Sequence, residues 1–164
     1  MKRLLIATGS VLVVGLVVAV VALRITGLDP KERRPGLWLS GTVVTAPVKD
    51  WSFTDKYPTI FVETRTWYGI PHSVTTSSVS HEGRLYLTSV YREGTQFPRD
   101  KLWNRNIVRD PHVRLKIGDQ LYDRTLSLVT DPVLRQAVLE TKAKKYPRQR
   151  VSPKSTTYVF AVSS

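Results

Sequence analysis

The chain has no cysteine, which removes disulfide frameworks, thiolate zinc sites, iron–sulfur clusters and cysteine nucleophiles together. The redox compartment stays open, because a chain without thiols is indifferent to it. Glycine and proline number only 9 and 10 among 164 residues, too few for a collagen-like or low-complexity chain. No glycine-rich phosphate loop, no Gly-x-Ser-x-Gly elbow and no His-Glu-x-x-His helix is present, so the common nucleotide, hydrolase and zinc-protease signatures are missing. His72, His81 and His112 are scattered, without carboxylates at ligand spacing, and no metal site is expected. The hydroxyl-dense run 73–78 reads as a strand with alternating hydroxyls facing solvent or a barrel lumen, not as a nucleophile.

Acidic residues are scarce as well. The 13 of them face 25 basic ones, a formal charge of +12. Lys2 and Arg3 lie ahead of a long apolar run, and without them 23 basic residues against 13 acidic ones still leave +10. Such a balance favours anionic partners: phospholipid headgroups, a phosphate-bearing cofactor or nucleic acid. The basic segment 142–150, with Tyr146 inside it, has the composition of a phosphate-gripping tail. Beside an apolar segment, attraction to anionic lipid is the simpler account, and nucleic acid is not the expected partner.

That apolar segment covers residues 4–23, uncharged throughout, with Thr8 and Ser10 as its only hydroxyls. About 20 residues at about 1.5 Å rise just span a hydrocarbon core of roughly 30 Å. The pattern predicts a single-pass anchor over residues 1–24, with a cleaved signal peptide ending after Ala22 as the competitor; the run exceeds the usual apolar length of a signal peptide. Ala7, Gly9, Ser10, Gly15 and Ala19 would permit close helix contact inside a larger membrane complex. Positive charge is nearly balanced across the span, and short basic N-termini stay in the cytoplasm, which places the following domain on the extracytoplasmic side. Residues 25–36, with two prolines and a cluster of charges, read as a linker. Residues 37–164 then make one domain of ordinary size.

Within it, β-branched and aromatic residues fall in short runs at 37–44, 59–64, 72–80, 85–91, 113–117, 120–129 and 156–162, which predicts a mainly β (α+β) fold, a six- to seven-stranded antiparallel barrel. His81-Glu82-Gly83 joins two of these runs as a short hairpin, and Gly118-Asp119 suits a type II′ turn. One or two short helices complete the pattern. Asp131 followed by Pro132 offers an N-cap and an N1 proline for a helix in which Val133, Leu134, Ala137 and Val138 recur at helical spacing, with Lys144 and Lys145 complementing its C-terminal dipole. A shorter helix over 100–108 places Leu102, Trp103 and Ile107 on one face until Asp110-Pro111 stops it.

From Ile60 to Leu128 the order of elements carries a resemblance. A strand Ile60-Phe61-Val62-Glu63-Thr64 is followed by a Gly69-Ile70-Pro71 entry to the next strand, then by the hairpin Glu82-Gly83 with Leu85-Tyr86-Leu87-Thr88-Ser89. Next come a basic residue ahead of a helix, Lys101-Leu102-Trp103-Asn104-Arg105-Asn106, and finally Asp110-Pro111-His112-Val113. This series, about half the chain, resembles the FMN-binding split-barrel superfamily of pyridoxamine 5'-phosphate oxidase-like proteins. The 92–100 loop is longer than the tight Ser-x-Lys spacing of its oxidase members, and residues 37–57, with Trp38, Trp51 and Phe53, have no counterpart in it.

The resemblance implies a split β-barrel that forms a homodimer, with FMN or a deazaflavin in the groove between protomers. Carried over by position, Thr64, Arg65, His72, Ser73, Thr75, Ser89 and Lys101 would line that groove. Arg92, Arg99 and Lys101 are suited to a phosphate, and Trp103 to a place on or beside the ring system. Haem is a further cofactor of the same superfamily, with His72 as the axial candidate. Where the cofactor performs the electron or hydride transfer, the protein supplies position and electrostatics, so no side-chain catalytic constellation is required. Two functions fit this expectation: a membrane-anchored flavin- or deazaflavin-dependent oxidoreductase, or a split barrel without cofactor serving as an accessory subunit of a membrane complex. Fold alone does not choose between them.

Overall fold

The computed structural model describes residues 2–32 and 34–163, and side-chain surroundings from residue 12 onward. A helix α1 (Lys2–Thr26) leads into seven strands: β1 (Thr42–Val43), β2 (Ile60–Arg65), β3 (Pro71–His81), β4 (Arg84–Tyr91), β5 (His112–Ile117), β6 (Gln120–Leu128) and β7 (Thr156–Ser163). Helix α2 (Leu102–Arg109) lies between β4 and β5, and α3 (Pro132–Lys145) between β6 and β7. A 3-10 turn, Ser52–Lys56, precedes β2. Strands β2 to β7 close into a six-stranded antiparallel barrel in the order β2-β3-β4-β7-β6-β5, each neighbour pair antiparallel.

Period-two burial selects the inner face. Ile60, Val62 and Thr64 are buried in β2 while Phe61, Glu63 and Arg65 alternate with them, as a half-buried strand requires. Two-residue turns set the register. His81 pairs with Arg84, and both intervening residues take positive φ, 51° at Glu82 and 72° at Gly83, the type I′ geometry that matches strand twist. Ile117 pairs with Gln120, and Gly118 takes a φ of 60°, as the first central residue of the expected II′ turn does.

The barrel interior holds Ile60, Val62, Leu85, Leu87, Leu115 and Ile117 at about 1% exposure or less. Trp103 and Ile107 of α2 join that cluster, so the short helix plugs one end. Trp51, 5.2 Å from the Tyr122 ring, packs into the same cluster. Helix α3 begins at the expected cap, where Asp131 Oδ1 accepts the Val133 N–H at 3.0 Å, and lies across the outside of the barrel through Val138, packed with Val79, Tyr86 and Val159. Leu134 packs against that cluster as its spacing predicts, whereas Val133 is exposed.

Two expectations need correction, and a third, the membrane-spanning helix, is not found among the described residues. The strand expected over 37–44 shrinks to β1, which runs parallel to β6. Its donors are already engaged: Leu37 N–H donates to the Leu28 carbonyl and Leu39 N–H to the Glu63 carboxylate, so no continuous ladder forms. Among the described residues no helix is long and apolar enough to cross a membrane. The expected span lies within α1, but the side-chain surroundings of its residues 4–11, with Ala7, Gly9 and Ser10, are outside what is described, and Arg33 of the linker lies outside the described residues. From residue 12 on, α1 displays Leu12, Leu16, Val17 and Ile25 at more than half exposure. Finally, Lys142, which opens the basic segment 142–150 expected to meet anionic lipid, is buried at 6% exposure.

Candidate functional site

Barrel closure divides the sequence-predicted residues between two faces. Thr64 pairs with His72, and both lie on the inner side with Val62 and Val74. Thr64 is fully committed: its hydroxyl donates to the His72 carbonyl at 3.0 Å and accepts from Asn106 Nδ2 at 2.9 Å, which ties β2 to α2. His72 is half-buried, and burial pushes its pKa down. Ser89 donates to Asn104 Oδ1 at 2.8 Å, and Tyr91 OH donates to the same oxygen at 2.7 Å. Trp103 lies 5.7 Å from the Phe160 ring at 7% exposure, packed as part of the plug.

The remaining residues lie outside the barrel, where two depressions take up Arg65 on one side and Thr75 and Lys101 on the other. The first, about 910 Å³, lies over β2, β5 and β6 and includes Arg65, Pro71, His112, Arg114 and Asp123. Most of its charges are paired, although Arg24 and Arg124 also line it without a carboxylate partner among the described residues. Arg114 donates to both oxygens of Asp123 at 2.7 and 2.8 Å, His112 contacts Asp110 at 2.8 Å, and Arg65 stands 3.8 Å from Asp110. Burial raises the Glu63 pKa, opposed by the Leu39 N–H and the Arg114 charge. An anion entering here would compete with carboxylates already in place. Ser73, on the same outer face of β3, is fully buried with an unpartnered Oγ, under the Gly36 bridge.

The second depression, about 680 Å³, brings together Thr75, Ser77, Val90 and Lys101 with Lys145 and Tyr146 from the end of α3. Its chemistry differs. Thr75 Oγ1 is buried without a hydrogen-bond partner. The Lys101 ammonium has no carboxylate partner among the described residues; it lies 5.0 Å from the Tyr91 ring centroid, and burial, then the Arg92 charge, lowers its pKa. Lys145 is occupied, donating to the Thr54 and Ser78 carbonyls at 3.1 and 2.9 Å and pairing with Asp55 at 3.3 Å. Tyr146 OH donates to the same Ser78 carbonyl at 2.8 Å, so the end of α3 is clamped beside the groove. Of the loop cations, Arg99 pairs with Asp100 at 2.8 Å and is largely exposed, and Arg92 is exposed.

The predicted set therefore converges on the second groove only at Thr75 and Lys101, with Arg92 beside them. Sequence reasoning missed Lys142 and Tyr146. The signal existed: Leu134, Val138 and Lys142 stand four apart, the spacing of one helix face, so the apolar stripe continues into a lysine.

No family model matches the chain, and no curated protein does. Solved structures do. A 5-nitroimidazole antibiotic resistance candidate from Bacteroides thetaiotaomicron superposes with a TM-score of 0.51 at 12% identity, covering 83% of this chain and 92% of that one. A candidate pyridoxamine 5'-phosphate oxidase from Listeria innocua gives 0.47 at 16% identity, over 68% and 88%, and an F420-H2 dependent reductase gives 0.47 at 21%, over 65% and 95%. The Bacteroides protein, at a TM-score of 0.51, shares the fold of this chain. At such identities the likeness establishes the fold.

Proposed function

We propose, from the split-barrel fold as premise, that this chain is a flavin- or deazaflavin-binding oxidoreductase-like protein whose cofactor lies in the groove over β3 and β4, its phosphate at the Lys101 end. One observation carries the reading: the groove offers an ammonium without a carboxylate partner among the described residues and, beside it, a buried, unpartnered Thr75 hydroxyl, whereas in the larger depression Arg65, His112 and Arg114 already face carboxylates. A half-buried cation without a counter-ion is unfavourable, and a ligand that supplies the anion relieves it. The volume suits a cofactor. FMN is the first candidate, a deazaflavin the second; haem is disfavoured as a third because His72, its axial candidate, is on the barrel's inner side, away from the groove. A homodimer that covers the groove with a second copy belongs to the same reading.

The reading also keeps α1 as a membrane anchor with the barrel on the extracytoplasmic side. Its support is the uncharged run of residues 4–23 and the exposed apolar side chains from Leu12 to Ile25 that no other element covers. Intact-mass measurement tests it: a mature chain starting near Leu23 refutes the anchor.

The absorption spectrum of the purified full chain, followed by titration with FMN and with a deazaflavin, tests the cofactor. A flavin or deazaflavin spectrum and saturable binding support the reading. A chain that binds neither refutes it and leaves the second reading, an accessory subunit of a membrane complex, which the exposed face of α1 favours.

A further inference from the structure

Helix α3 brings a second lysine to the groove. Lys142 is 94% buried, given its 6% exposure, and its ammonium makes no hydrogen bond or ion pair among the described residues. It lies one turn before Lys145 and Tyr146 on the same helix face, and those two line the groove; helical spacing therefore puts Lys142 at the groove's inner end. Lys101, from the β4–α2 connection, lines the same groove as Lys145 and Tyr146, and its charge acts on Lys142.

A buried ammonium and a half-buried one at the same groove repel each other and have lost most of their water. Folding a chain around such a pair without a counter-ion is unfavourable. The arrangement is balanced when a doubly charged anion lies between them. We propose that Lys142 and Lys101 together form a clamp for a phosphate monoester dianion, so that α3 contributes half of the grip. The inference rests on the cofactor reading only for what carries the phosphate.

The surroundings agree. The carboxylate near this end of the groove, Asp55, is engaged by Lys145, Asp100 is engaged by Arg99, and β3 presents the hydroxyls of Thr75 and Ser77. Tyr91 and Tyr146 are held neutral by burial, His81 contacts Thr141, and Arg92 adds positive charge beside Lys101. Nothing there competes for the two ammonium groups. Burial first, and the Lys101 charge second, hold Lys142 at a pKa of about 8. The negative charge of an anion between the lysines opposes both causes and raises the Lys142 pKa, so binding at pH 8.5 should take up a proton, because a phosphate monoester is already fully dianionic there.

The full chain is titrated with FMN, with riboflavin, which lacks the phosphate, and with inorganic phosphate, using the parent, Lys142→Met, Lys142→Arg and Lys144→Met. Lys142→Met is expected to lower FMN affinity tenfold or more and to abolish proton uptake, as read calorimetrically in buffers of different ionisation enthalpy. Riboflavin binding should not change, Lys142→Arg should retain most affinity, and exposed Lys144→Met should behave as the parent. FMN binding by Lys142→Met equal to the parent overturns the clamp while the cofactor reading stands. Equal losses for Lys142→Met and Lys144→Met overturn it in favour of diffuse attraction. Lys142-dependent binding of inorganic phosphate without any flavin binding supports the clamp and overturns the cofactor reading. Binding of neither phosphate nor FMN overturns both.

Discussion

Replacing Lys142 by methionine should stabilise the protein, which is an unusual outcome for a fully buried position. The side chains are similar in length, so packing is largely retained, and the change removes a charge that has little solvent and no partner among the described residues. Burial and the neighbouring Lys101 depress the Lys142 pKa to about 8, against about 10.4 in an unfolded chain. At about 1.4 kcal/mol per unit this is a penalty of about 3 kcal/mol at pH 7. The sign follows from linkage: between the two pKa values the unfolded chain holds more protons than the folded one, so stability rises with pH across that window and the penalty is complete below it. Urea denaturation of parent and Lys142→Met at pH 7 and pH 9.5, at one protein concentration, reads both effects. The variant should exceed the parent by about 3 kcal/mol at pH 7, roughly a 10 °C rise in Tm, and by only about 1 kcal/mol at pH 9.5. A variant less stable than the parent, or a difference that ignores pH, would refute the claim that Lys142 is buried, charged and unpaired.

Lys101→Ala should lower FMN affinity about tenfold to hundredfold by removing a charge-assisted phosphate contact, while Lys144→Ala, on an exposed residue, should leave it nearly unchanged; fluorescence titration separates the two. Asn104 is wholly buried and accepts from both Ser89 and Tyr91, so Asn104→Leu strands two hydroxyls and should cost about 2–3 kcal/mol in urea denaturation. Asp131→Ala removes the α3 cap and should cost about 1 kcal/mol by the same assay; because α3 carries Lys142, it should also weaken phosphate binding if the helix end frays.

Much of the fold was legible because its causes are local. β-branched runs with period-two burial form the strands, Glu82-Gly83 and Gly118-Asp119 turn them, and Asp131-Pro132 starts α3 where capping chemistry places it. The first run, 37–44, was misread because strand propensity says nothing about whether a ladder partner is free, and there Glu63 and Leu28 take the backbone donors. The site was less legible. Alternation separates Thr75 from Thr76 in any strand, but only closure of the barrel decides which face is interior, and it turned Thr64, His72 and Ser89 into internal contacts rather than groove lining. Charge was the least legible of all: Arg99, Lys101, Lys142, Lys144 and Lys145 are equivalent in composition, and they differ because Asp100 and Asp55 neutralise two of them, solvent surrounds Lys144, and packing of α3 on β3 isolates Lys142 beside Lys101. Which element forms is written within a few residues, whereas which cation lacks a counter-ion depends on groups brought together from distant parts of the chain, and the sequence does not print that distance.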